Sequence, residues 1–166
     1  MKVLKSLVLV LILYLPFSSF VQGSDTKVLK PKNANTKIKI VISGKNRTYY
    51  PLQFSDPSII SVKGPGKLKI ITRVQFVSNI DQRLDYKFYY RIDGTQKNEI
   101  EFINMKRSTT ASFKNYSLGV PSIGKNITLD LGLGEHTIEL WTGAKTPRVA
   151  ARYLFTKTKE KKINWV

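Results

Sequence analysis

Apolar and polar residues alternate with a period of two along most of this chain, and no segment carries a convincing helical period. The pattern is cleanest at residues 85–92. There Tyr86, Phe88, Tyr90 and Ile92 alternate with Asp85, Lys87, Tyr89 and Arg91. Just upstream, Leu68, Ile70, Val74 and Phe76 alternate with Lys67, Lys69, Arg73 and Gln75, and Thr72 breaks the apolar parity. Gly64-Pro65-Gly66 precedes this pair of predicted strands as a turn, 78–83 is a polar link, and Asp93-Gly94 closes the second strand as a hairpin. The stretch Gly64–Gly94 is therefore the expected nucleus of the fold.

Shorter strands of the same grammar surround it. They are predicted at Thr36–Ile42, Arg47–Phe54, Ile59–Val62, Asn98–Met105, Asn126–Leu131, His136–Trp141 and Val149–Phe155. Pro51 removes a ladder donor and so belongs at an edge or a bulge. Gly132-Leu133-Gly134-Glu135 is predicted as a turn between two strands. Lys106–Gly124 is the least regular portion, a loop long enough to be functional or partly disordered. About nine strands at this spacing predict an all-β fold, a single antiparallel β-sandwich. Its expected span is 36–156, between a flexible leader or edge segment at 24–35 and a basic tail at 157–166.

The first 23 residues have a different pattern. Lys2 and Lys5 precede an apolar run, Ser6–Phe17, of signal-peptide length and too short for a membrane span. Cleavage after Gly23 is expected, placing the protein in a periplasm or outside the cell; an uncleaved N-terminal anchor is the alternative. With no Cys after the run, a bacterial lipoprotein is excluded. The absence of any Cys leaves a secreted domain to hold itself by packing alone. Three N-x-[ST] sequons, at Asn46, Asn115 and Asn126, would matter only in a eukaryotic host.

Charge is the compositional outlier. The chain carries +17, and loss of Lys2 and Lys5 with a signal peptide leaves +15. Such a field favours anionic partners: acidic polysaccharides, lipopolysaccharide phosphates, anionic membranes or, last among these, nucleic acid. The competing reading is a Lys-rich composition without function. Lys outnumbers Arg by 21 to 7, and Lys is the poorer bidentate ligand.

Catalytic residues are few. His136, the single His, opens a strand after a Gly-rich turn, where a turn or edge role is commoner than a base. Glu99 and Glu101 share a strand face, and with Asp85 they are the carboxylates to weigh for glycan hydrolysis; a solvated face offsetting lysines is the plainer reading. Asp81, Asp85 and Asp93 form no calcium loop, so a structural calcium is unsupported and no cofactor is expected. No helix follows Gly64-Pro65-Gly66, which excludes a phosphate loop. Aromatic rings remain: Tyr49, Tyr50, Tyr89, Phe113, Tyr116 and Trp141 are candidates for partial exposure, with burial the stronger reading for Tyr89.

The order GPG, a long strand, FYYRIDG at 88–94 and GEHTIELW at 134–141 resembles secreted bacterial jelly-roll or galactose-binding-like modules. The resemblance covers Gly64–Gly94 and Gly134–Trp141. It implies a β-sandwich with a non-catalytic, carbohydrate-binding or adhesive role; the family's calcium and sugar ligands have no clear counterparts here. The expected function is thus binding, not catalysis. The expected ligand is an anionic or carbohydrate envelope polymer, and its surface is Lys67, Lys69, Arg73, Lys87, Tyr89 and Arg91. A structural subunit docking on another envelope protein is the second reading, and a glycan-active enzyme using Glu99 or Glu101 the third.

Overall fold

A computed structural model describes residues 25–77 and 83–158. The predicted signal peptide, Asp81 and nearly all of the basic tail lie outside the described residues. The protein is all-β and antiparallel. Its strands are β1 (Thr26–Leu29), β2 (Ile38–Ile42), β3 (Lys45–Leu52), β4 (Ser58–Phe76), β5 (Leu84–Ile92), β6 (Asn98–Met105), β7 (Ala111–Phe113), β8 (Val120–Pro121), β9 (Lys125–Thr142) and β10 (Val149–Lys157). They form one curled 10-stranded sheet in the order β6-β5-β9-β4-β10-β3-β2-β7, with β1 on β10 and β8 on β4. This is the expected jelly-roll-like arrangement. No helix among the described residues is long and apolar enough to cross a membrane.

The two Gly-rich segments are not turns. Gly64-Pro65-Gly66 lies inside β4 and Gly132-Leu133-Gly134 inside β9, and the two strands stay paired through both, from Ser58↔Leu140 to Thr72↔Lys125. The register shifts between Gly64 and Gly66, so the glycines mark an irregularity shared by two long neighbours. Gly denotes close backbone approach here rather than chain reversal: a side chain on Gly66 would collide with the Phe155 ring. Asp93 and Gly94 both have positive φ, 51° and 70°, at the centre of a turn that the Thr95 amide closes on the Ile92 carbonyl at 2.9 Å, within the link from β5 to β6.

Inward residues of β4, β5, β9 and β10 make the main core. Leu68, Ile70, Val74, Phe88, Ile138, Leu140, Ala151 and Tyr153 are fully buried in it. Thr72 keeps this inward parity, and its hydroxyl meets the Tyr86 hydroxyl at 2.8 Å in the buried interior. That pairing explains a polar residue in an apolar row.

A second cluster lies on the other face of β4 and β10. Ile71 and Ala150 pack there against Ile40, Tyr49, Ala111 and Phe113, because the β3-β2-β7 end of the sheet curls over that face. β2 stops pairing with β3 at Tyr49, so Pro51 sits where β3 has only β10 beside it. Within 24–35, Thr26–Leu29 forms a strand that pairs with Tyr153–Thr156. Lys106–Gly124 is ordered by β7, β8 and a short 3-10 helix, Tyr116–Leu118, capped by the Asn115 side chain.

Candidate functional site

The curl of β3-β2-β7 over β4 and β10 leaves a groove of about 810 Å³. Its apolar floor includes Ile38, Pro51, Leu52, Phe113, Leu118 and Val149. Five cations line it: Lys37, Lys39, Arg73, Lys114 and Arg148. No Asp or Glu does. Gln53, Gln75 and Asn115 add amide groups able both to donate and to accept.

Arg73 is the residue that makes this groove unusual. Its position on β4 has the outward parity that the sequence indicates, yet the side chain is 8% exposed. The expected solvent-facing Arg73 is corrected for a physical reason: its face is roofed by the second cluster. Nε donates to the Tyr49 hydroxyl at 3.3 Å and Nη1 to the Ser122 carbonyl at 2.5 Å. Both acceptors are neutral. Among the described residues no carboxylate pairs with Arg73 or with any of the other four cations. A guanidinium withdrawn from water with no counter-ion is costly, and an anion in the groove would relieve that cost.

The surrounding frame is well hydrogen-bonded. Ser122, fully buried, accepts from the Val74 amide at 3.0 Å and donates to the Ile123 carbonyl at 2.8 Å. Gln75 donates from its side chain to Leu118 O at 2.5 Å and from its backbone to Arg148 O at 2.8 Å. Lys114 N donates to Lys39 O at 2.9 Å, tying the segment after β7 to β2. Arg73 is thus held by rigid strands, which favours a site with fixed geometry.

The other expected surface residues separate into two places. Lys67 and Lys69 project from β4 beside Asp130 and Thr128, and Lys67 pairs with Asp130 at 2.5 Å. Lys87, Tyr89 and Arg91 lie on β5, in register with β9 residues 139–142 or next to them. Arg91 faces Glu139, which faces Ile59 on β4; Lys67 is eight residues further along β4, roughly 26 Å at strand rise. The six residues do not make one basic face. On β5, Lys87 bonds Glu99 at 2.9 Å and lies 3.5 Å from Glu101, and Arg91 pairs with Glu139.

Exposure of the aromatics also differs from expectation. Tyr49, Tyr50 and Phe113 are buried, the first and third in the second cluster and Tyr50 in the main core. Tyr116 is exposed. Tyr89, expected in the core, is half-buried on the outer face, stacked on Trp141. Five groove residues, Lys37, Lys39, Lys114, Arg148 and Gln53, were not singled out in the sequence. They come from separate strands and loops, and no local spacing connects them.

Glu99 does not have the environment of a catalytic acid. The Lys87 hydrogen bond holds its carboxyl below the ordinary range, with the Lys87 and Lys97 charges acting in the same direction against a smaller effect of burial; a general acid needs the opposite shift. Among the described residues no group of three or more His, Asp or Glu side chains could hold a metal ion.

No family model matches the sequence, and neither does any curated protein. Low-identity matches to solved structures do exist. The chain is 15% identical to a family 35 carbohydrate binding module from Clostridium thermocellum, covering 80% of this chain and 99% of that one at a TM-score of 0.42. Against an exo-β-1,3-galactanase from Phanerochaete chrysosporium the identity is 13%, covering 80% of this chain and 26% of that one, at a TM-score of 0.42. A family GH115 4-O-methyl-α-glucuronidase gives 13% identity, 83% and 18% coverage, and a TM-score of 0.47. The chain therefore spans about a quarter or less of these two enzymes. It resembles carbohydrate-binding and glycan-active β-modules at low identity, and such distant likenesses carry no site residues across.

Proposed function

We propose that this protein is a non-catalytic binding module for an acidic polysaccharide, taken in the groove between β2, β7 and the outer face of β4 and β10. The observation that carries this reading is Arg73: among the described residues, a buried guanidinium bonded only to neutral oxygens, in a groove lined by four further cations and no carboxylate. A uronate-type sugar suits that lining. Its carboxylate offsets the uncompensated charge, its hydroxyls meet Gln53, Gln75 and Asn115, and its C–H faces lie on Ile38, Pro51 and Leu118. The predicted export signal agrees with an envelope or extracellular polymer as the partner.

Affinity for soluble polygalacturonate, measured by calorimetry at several salt concentrations, tests the proposal. Arg73→Gln is expected to weaken binding by about ten-fold or more, the effect of losing one charge-assisted contact. Lys67→Gln, outside the groove, is expected to change it less than about two-fold. Equal losses from the two variants would mean that diffuse charge, not the groove, attracts the polymer. Absence of binding at low salt would overturn the reading outright.

A further inference from the structure

The outer face of β5 and β9 has a chemistry quite unlike that of the groove. Tyr89 and Trp141 are direct register partners there, and their rings stack with centroids 5.9 Å apart at 30°. Both are half-buried, so each keeps ring surface at the solvent boundary. The Arg91 guanidinium lies 5.9 Å from the Trp141 ring centre, and Lys97 Nζ lies 4.5 Å from that of Tyr89. Lys87 pairs with Glu99 and lies near Glu101, and Arg91 pairs with Glu139; with Lys97 over the Tyr89 ring, three cations and three carboxylates surround the ring pair. In a chain of +17, this patch carries no net charge.

Local neutrality decides what the patch suits. An anionic polymer gains little from a surface that carries as many carboxylates as cations and where two of the three cations are already paired. A tightly packed protein partner would have to strip water from six charged groups, a cost that attraction rarely repays. A neutral sugar has the matching chemistry: a C–H face for the rings, and hydroxyls that donate to Glu99 and Glu139 and accept from Lys97 and Arg91. Gly143 contributes by omission. A β-carbon there would already stand 3.9 Å from the Tyr89 ring, and any longer side chain would begin to cover it. A cross-strand aromatic pair also steadies a sheet, but that role calls for neither half-open rings nor donors and acceptors of both signs around them.

We infer that Tyr89 and Trp141 form a stacking subsite for uncharged pyranose units of a polysaccharide, with Lys97, Glu99 and Glu139 addressing the hydroxyls. The site is separate from the groove and stands or falls without it.

The chain has two tryptophans, so Trp165→Phe leaves Trp141 as the sole indole reporter. In that background, titration with three soluble uncharged polysaccharides (a β-glucan, a galactan and a xylan) is expected to give a saturable change in emission with at least one. Raising the salt is expected to leave that affinity unchanged. Tyr89→Leu is expected to weaken it by about ten-fold, and Arg73→Gln to leave it intact. In the natural sequence, Trp141→Leu is expected to abolish retention on the same polysaccharide immobilised on a column. Circular dichroism confirms the fold of each variant, and Lys97→Ala, at an exposed position outside the strands, is expected to weaken the affinity by about three-fold without touching the sheet. Failure of all three polysaccharides to bind overturns the inference, as does undiminished binding by folded Tyr89→Leu and Trp141→Leu. Binding of polygalacturonate alone, lost in Arg73→Gln, would overturn this subsite while upholding the groove.

Discussion

Gly64 on β4, in register with Gly134 on β9, lies so close to Gly132 that a β-carbon on Gly64 would overlap the Gly132 carbonyl oxygen. The obstacle is backbone, which no rotamer change can move. Gly64→Ala is therefore expected to destabilise the protein by roughly 2–4 kcal/mol, in the upper range for overpacking. Gly94 provides the contrast. Nothing lies within 4 Å of a β-carbon there, and only its φ of +70° opposes a side chain. Gly94→Ala is expected to cost about 1–2 kcal/mol. Urea denaturation of the two variants checks the order, and a Gly64→Ala midpoint at or above that of Gly94→Ala would contradict the close approach of β4 and β9.

The same two strands show what the sequence could and could not convey. Alternation at 68–76 and 85–92 reports which residues face the core, because strand parity is a local property. Parity held even through the irregularity in β4, where Ile60 and Val62 before it and Leu68 and Ile70 after it all point inward. Glycine is ambiguous: a turn and a close interstrand approach both require it, and only the pairing partner tells them apart. Arg73 presents a related limit. Its outward parity is legible, but whether that face meets water depends on β2 and β7, which lie more than thirty residues away in either direction. Tyr49 and Phe113 were illegible for the same reason, since their burial requires a second cluster that only the curl of the sheet creates.

His136 reports on pH. Its Nδ1 lies 2.7 Å from Asp93 Oδ2 and its Nε2 3.2 Å from the Gly132 carbonyl, so both ring nitrogens face acceptors and the doubly protonated ring is favoured. The Asp93 hydrogen bond chiefly, then the Gly132 carbonyl and the Asp93 charge, raise the His136 pKa against partial desolvation. The Asp93 pKa is lowered, first by the Thr137 amide and then by His136. With the folded value raised, the His136 contribution is complete below the unfolded value of about 6.5 and disappears as pH rises through the folded value. The Asp93 contribution is present above about pH 3.9 and is lost as pH falls through its depressed folded value. The natural protein is expected to lose stability between about pH 5.5 and about pH 8 more than His136→Gln does. Urea midpoints at both values, identical in slope of change for the two proteins, would remove His136 from the account.

Two buried tyrosines should answer differently to loss of their hydroxyls. Tyr86 shares a hydrogen bond with Thr72, and burial pushes its phenol up to about 12 despite that bond and the nearby Arg73 charge. Tyr153 is fully buried and its pKa is raised by burial, but among the described residues its hydroxyl has no partner in hydrogen-bond geometry, although the buried Ser58 hydroxyl lies beside it. An unanswered buried hydroxyl carries a desolvation cost. Tyr153→Phe is expected to be neutral or stabilising by up to about 1 kcal/mol, whereas Tyr86→Phe costs about 1 kcal/mol. Thermal denaturation ranks the pair, and a larger loss from Tyr153→Phe would mean that its hydroxyl is satisfied in solution.

Tyr49 holds Arg73 in place from the second cluster, and its hydroxyl is the only side-chain acceptor Arg73 has among the described residues. Tyr49→Phe keeps the ring, and therefore the packing against Ile40 and Phe113, but leaves Nε of a buried guanidinium unanswered. Stability is expected to fall by about 1–3 kcal/mol. If the groove is the anion site, affinity for polygalacturonate falls too, by less than in Arg73→Gln, because the charge remains while its orientation loosens. Tyr50→Phe serves as the control: Tyr50 is the next residue on β3, points into the main core and is not among the residues lining the groove. A Tyr49→Phe protein that is less stable yet binds the polymer with unchanged affinity would show that the bond supports the fold alone. A loss of affinity shared equally by Tyr50→Phe would show that the effect comes from general softening of the sheet rather than from the placement of Arg73.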